Sequence, residues 1–126
     1  MITVEGALVY GLEFGGVTHR VFTMRAPTID DGISAIEAAG PGASVLRVRV
    51  HKAARQLVRL GGLTASEISE HVDGHALLAL PEEDIEPLLA AQDAVEKKRA
   101  GSKRTSSHTA SSSTPSDPTD TPPPAP

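Results

Sequence analysis

The stretch that most constrains the fold is Ala43 to Leu60, ASVLRVRVHKAARQLVRL. Leu46, Val50, Ala53, Leu57 and Leu60 recur at the spacing that lines one face of an α-helix. Arg47, Arg49, Lys52, Arg55 and Arg59 fall outside that stripe, and the stretch contains no Asp or Glu. Leu46 to His51 also alternates apolar and basic as a strand does, but the alternation stops at Lys52, whereas the helical spacing persists to Gly61-Gly62. The pattern therefore predicts a helix over 43–60 with one apolar and one basic face.

Charge is segregated along the rest of the chain. Residues 1–60 carry seven basic and five acidic groups, residues 61–96 carry nine carboxylates and no Lys or Arg, and residues 97–126 carry five basic and two acidic groups. The simplest consequence is internal, with the arginines of 43–60 facing the acidic helices that follow. All three aromatics, Tyr10, Phe14 and Phe22, lie near the N-terminus, so the remaining core is aliphatic. With no cysteine there is neither a disulfide framework nor a thiolate metal site, which suits a cytoplasmic protein. Glu5 and Glu13 interrupt the first apolar run, which lacks a basic start and does not read as a signal peptide. No run is long and uncharged enough for a membrane span.

Residues 3–25 read as a β-hairpin. Val4, Leu8, Tyr10, Leu12 and Phe14 share one parity, and Gly15-Gly16 supplies a tight turn. The return strand has apolar residues on both faces, so the sequence leaves its register open. Two strands are marginal alone and must pack on the helices.

The Arg25-Ala26-Pro27 step ends the hairpin, and Thr28 with Asp31 forms a capping box for a helix over about 29–39 with an Ile29, Ile33, Ile36 stripe. Thr64 and Glu67 repeat the device for a helix over 65–72, with Leu63 and Ile68 as a staple, and Val72-Asp73 starts a short helix over 74–79. A last helix over 85–99 begins at Asp84 as cap, which places Pro87 in the first turn where it is tolerated. Its inward residues are Ile85, Leu88, Leu89 and Val95. The expected fold is α+β: a single domain over 1–99, an N-terminal hairpin packed on a small bundle of about four helices. From Gly101 onward 18 of 26 residues are Ser, Thr or Pro, which cannot bury enough surface to order, so 100–126 reads as a disordered tail.

Catalytic, cofactor and metal residues are not expected. His71 and His75 stand four apart, but Asp73-Gly74 between them reads as a helix junction and no third ligand is indicated. Glu82, Glu83, Asp84 and Glu86 suit a helix N-terminus and match no calcium loop. The glycine pairs lack the residues of a phosphate loop, and no serine sits in a nucleophile elbow. Two basic features, the 43–60 face and Lys97, Lys98, Arg99, Lys103 and Arg104, raise nucleic acid as a partner, but neither carries a stacking aromatic.

The order of these features carries a resemblance. A hairpin, an R-x-P-x-x-x-D step at Arg25, Pro27 and Asp31, a helix closed by Leu60-Gly61-Gly62-Leu63, and acid-capped short helices with a Leu80-Pro81-Glu82-Glu83-Asp84 step follow one another. Over residues 7–98 the chain resembles the tail assembly chaperones of long-tailed phages, in the small form of P2-like and Mu-like contractile phages. The resemblance implies a protein of the host bacterial cytoplasm that holds the apolar tape measure protein soluble, helps recruit tail tube protein subunits, and is absent from the mature virion. It implies no enzyme, no cofactor and no membrane; self-association is compatible with it. The Ser/Thr/Pro tail departs from that pattern.

A chaperone of an apolar client needs apolar surface beyond its own core. Val45 and Val48 fall on the basic side of the helical wheel and, with Lys97, Lys98 and Arg99, are the candidate partner-binding residues. Two other readings stand beside this one: a small virion structural or tail-completion protein, and a nucleic-acid-associated adaptor using the basic C-terminal segment.

Overall fold

The computed structural model describes residues 2–107, with side chains through Gly101. The chain is α+β. Strands β1 (Thr3–Phe14) and β2 (Val17–Arg25) form the expected hairpin, followed by α1 (Ile29–Ala39), α2 (Val45–Gln56), β3 (Leu57–Leu60), α3 (Ala65–His71), α4 (Gly74–Leu78), a 3₁₀ turn (Glu82–Asp84) and α5 (Ile85–Ser107). The sheet order is β1-β2-β3, antiparallel throughout. α5 continues to Ser107, past the end expected at 99 and into the stretch expected to be a disordered tail over 100–126; the rest of that stretch, 108–126, lies outside the described residues.

The 43–60 segment is not one helix. Ser44 caps α2 by accepting from the Arg47 N–H, and the helix ends at Gln56, where Leu57 takes extended dihedrals. Leu57–Leu60 then pairs with β2, matching Leu60 to Phe22, Arg59 to Thr23 and Leu57 to Met24. A register shift between Thr23 and Met24 lets Leu57 and Leu60, three apart, both turn inward. That spacing is what a helical stripe would also produce, so the two structures are degenerate in sequence. Pairing with β2 decides between them, because it matches Leu57, Arg59 and Leu60 to strand partners and turns the chain into Gly61, whose N–H donates to the Val21 carbonyl at 2.7 Å. Of the stripe, Leu46 at the start of α2 is half exposed; Val50, Ala53, Leu57 and Leu60 enter the core.

A second departure lies in β1. Ala7 pairs with Val21 and Leu12 with His19, so residues 8–11 stand opposite Arg20 alone. This wide bulge breaks the alternation: Leu8 stays buried while Tyr10, expected on the same face, is 55% exposed. Gly11 sits in it at φ +98°, where a Cβ would meet the His19 carbonyl and the Arg20 side chain. In β2 the open register resolves with Phe22 and Met24 inside and Val21 outside.

The helix boundaries follow the capping chemistry. Thr28 and Asp31 form a complete capping box on α1, Thr64 and Glu67 on α3, and Asp73 accepts from the Ala76 N–H to cap α4. Such caps contribute about 1 kcal/mol each. The core joins Leu8, Phe22 and Met24 of the hairpin to Val50, Ala53, Leu57 and Leu60, then to Ile68, Val72 and Leu77, and to Leu88 and Ala91 of α5. Val95 of α5 is fully buried, as its place on the inward stripe requires. Among the described residues no helix is long and apolar enough to cross a membrane.

Candidate functional site

The outward face of α1 is the first surface the core leaves unused. Asp31 and Ala35 turn inward, and the Ile29, Ile33, Ile36 stripe points to solvent at 84%, 50% and 60% exposure. Val45 (79%) and Leu46 (49%) follow at the start of α2 across the loop 40–44. Of the two valines expected as partner surface, Val45 is thus strongly exposed and Val48 half-buried.

α1 is fixed in this orientation by ion pairs. Arg25 holds Asp31 through two donors at 2.6 and 3.1 Å, and Arg55 reaches Asp31 at 3.0 Å and Asp30 at 2.9 Å. The Arg25 guanidinium is the main reason the Asp31 carboxyl lies far below the usual carboxylate range; burial opposes it, and the Thr28 N–H and Arg55 assist. Arg55 therefore pairs with the acidic start of α1 rather than with the acidic segment 61–96. Arg49 does face that segment, donating to Gln92 at 3.1 Å and to Asp93 at 3.2 Å. Gln92 in turn donates to the Arg49 carbonyl and to Gln56, and Gln56 donates to the Arg25 carbonyl, so a buried polar chain joins α5, α2 and β2.

The basic group at 97–99 is divided by its contacts. Lys98 donates to the Thr3 carbonyl and Arg99 to the Pro27 carbonyl, both at 2.6 Å, tying α5 to the base of the hairpin. Lys97 is exposed.

The acidic cluster also divides. Glu82, Glu83 and Glu86 are exposed, whereas Asp84 is wholly buried. Its carboxylate leaves its own helix and accepts from the N–H groups of Val9, Tyr10 and Gly11 at 2.6, 2.9 and 3.0 Å. Sequence reasoning gave Asp84 to the α5 cap; nothing local signals that its partner is a bulge more than seventy residues earlier.

The histidines are separated by the α3–α4 junction. His71 stacks near Phe14, ring centroids 5.0 Å apart, while His75 meets His51 edge-on at 5.3 Å. Among the described residues no group of three or more His, Cys, Asp or Glu side chains is placed to hold a metal. His51 and His75 border a groove of about 570 Å³ between α1, α2, α3 and α4.

No family model matches the sequence, and no curated protein or solved structure matches it significantly.

The α1 face offers branched aliphatic side chains at i, i+4 and i+7, the arrangement that accepts another apolar helix. Sequence reasoning found the isoleucine stripe but not its direction. The signal was present in Asp31 and Ala35, which lie on the opposite side of the same helix and have the stronger claim to the interior once Arg25 is counted.

Proposed function

We propose that the chain is a tail assembly chaperone of a long-tailed phage, binding the tape measure protein and helping to recruit tail tube subunits in the host cytoplasm. The observation that carries this reading is the outward isoleucine face of α1 beside Val45 and Leu46. Five large aliphatic side chains stand exposed on two consecutive helices, and large apolar side chains gathered on a surface serve binding. The resemblance over residues 7–98 supplies the client: a long apolar helical protein that needs cover before it is assembled. Nucleic-acid binding is the weaker reading, because Lys98, Arg99, Arg49 and Arg55 are already engaged within the fold.

Co-expression tests the proposal. The tape measure protein encoded beside this chain is expected in the soluble fraction, and in a complex, only when the chain is present. Equal insolubility with and without it, and no recovered complex, would overturn the reading. Retention on DNA that falls steeply with salt would instead support the adaptor.

A further inference from the structure

The sheet buries one face and leaves part of the other bare. Phe22 and Met24 of β2 are wholly buried, whereas Val21 beside them is 56% exposed. The β-strand register sets the bare side in two rows across the three strands, since residues paired across strands share a face. Ala7, Val21 and Gly61 form one row, with Ala7 paired to Val21 and the Gly61 N–H donating to the Val21 carbonyl. Glu5, Thr23 and Arg59 form the other, with Thr23 paired to Glu5 on β1 and to Arg59 on β3. Glu5, Ala7 and Arg59 are all exposed.

The second row is charged at both ends and neutral at its centre. Neighbouring strands lie about 4.8 Å apart, so the backbones of Glu5 and Arg59 stand about 10 Å apart across Thr23. Arg25, Arg49 and Arg55 each hold a carboxylate within the fold. The Glu5 carboxylate and the Arg59 guanidinium have no ion-pair partner among the described residues. Opposite charges placed equally on either side of a centre make a surface complementary to itself, which is what a two-fold contact requires. Aligned sheets pack with their strand directions close together, which leaves two in-plane axes through Thr23. An axis across the strands would set Glu5 on Glu5 and Arg59 on Arg59. An axis along β2 exchanges β1 with β3, and sets Glu5 of each copy over Arg59 of the other.

We propose that this bare face is a self-association surface, through which two copies of the chain pack face to face about a two-fold axis along β2. Two Glu5–Arg59 ion pairs flank the axis, Thr23 meets Thr23 on it, and Val21 meets Val21 one row further along. Ala7 of each copy lies over Gly61 of the other, where the His19 ring already fills the space a side chain would take. Three short strands cover roughly a few hundred Å² per copy, the size of a weak and reversible contact, so the dimer belongs to high protein concentration. The isoleucines of α1 take no part, and the inference does not rest on the chaperone reading.

Sedimentation equilibrium of the full chain from about 10 μM to about 1 mM tests the proposal. The wild type is expected to pass from monomer toward dimer across this range. Glu5→Arg and Arg59→Glu each set like charges on both sides of the axis and should weaken the dimer by at least about ten-fold. The double variant exchanges the two charges and should restore it. Val21→Asp brings two carboxylates together on the axis and should abolish association. These positions are exposed, so thermal melts should stay near the wild type, and a variant that fails to fold leaves the others to decide. A chain that remains monomeric throughout, a dimer indifferent to both charge reversals, or one that the double exchange does not restore would overturn the proposal. Loss of the dimer in Ile33→Asp with retention in Val21→Asp would place self-association on α1 and overturn it equally.

Discussion

Arg25 and Asp31 form a two-point pair, Nη1 to Oδ2 at 2.6 Å and Nη2 to Oδ1 at 3.1 Å, that locks the end of β2 to the first turn of α1. The Asp31 side chain is only 2% exposed and also accepts from Arg55 Nε and the Thr28 N–H, so four donors converge on one carboxylate. That convergence holds α1 with its isoleucines outward. Asp31→Ala removes the capping partner and leaves the Arg25 guanidinium without its main acceptor; the expected loss is about 3 kcal/mol, read from urea unfolding. Because the folded-state pKa of Asp31 is depressed, its contribution is complete above the ordinary value of 3.8 and fades as pH falls below it. Asp31→Asn should therefore flatten the acid limb of the stability curve.

Asp84 is expected to matter as much, though it touches no proposed partner. It is the acceptor for three N–H groups in the β1 bulge, and Asp84→Ala would leave them buried or force water among them. A loss of about 3 kcal/mol follows from removing a buried charge-assisted acceptor. Hydrogen exchange should locate the damage, with the amides of Val9, Tyr10 and Gly11 losing protection before those of β2. Unchanged exchange at these three positions would contradict the latch.

His51 sets a second pH dependence. Its folded-state pKa lies below the ordinary 6.5, first through burial and then through His75 and Arg47, against Asp73. The unfolded chain then binds more protons, so stability rises with pH through this range: the contribution is complete above 6.5 and is lost as pH falls from there toward the folded value. Thermal melts of the wild type between about pH 5 and 7 should show that slope, and His51→Leu should reduce it. Asp31 titrates lower, so the two effects separate on the pH axis.

Local chemistry was legible in this sequence, and distant pairing was not. The capping boxes at Thr28 and Thr64, the Asp73 cap and the Gly15-Gly16 turn each lie within a few residues and were readable directly. The end of α2 was not, because Leu57 and Leu60 bury equally well on a helix or on a strand with a register shift, and only β2 distinguishes them. Tyr10 was misplaced for a related reason: strand alternation presumes an unbroken ladder, and the bulge that breaks it is stabilised by Asp84 far along the chain. The partner surface suffered most. An outward isoleucine stripe and an inward one have the same sequence, and the difference lies in which side of α1 Asp31 must take to meet Arg25.

Ile33 gives the sharpest separation of binding from folding. It is half exposed at the middle of the α1 stripe, between Ile29 and Ile36, and belongs to no buried cluster. Ile33→Asp removes apolar area from the centre of the proposed client surface and places a charge there. Exposed substitutions of this kind usually change stability by less than about 0.5 kcal/mol, so the melting transition should barely move. A centrally placed anchor, by contrast, commonly costs about 2 kcal/mol in binding when lost, equivalent to more than ten-fold in affinity. The expected result is a chain that folds and stays soluble but no longer keeps the tape measure protein in solution on co-expression. Glu37→Gln, on the same helix and also exposed, serves as the control and should retain the client. A marked loss of stability in Ile33→Asp would mean the side chain supports the fold, and full retention of the client would move the binding surface away from α1.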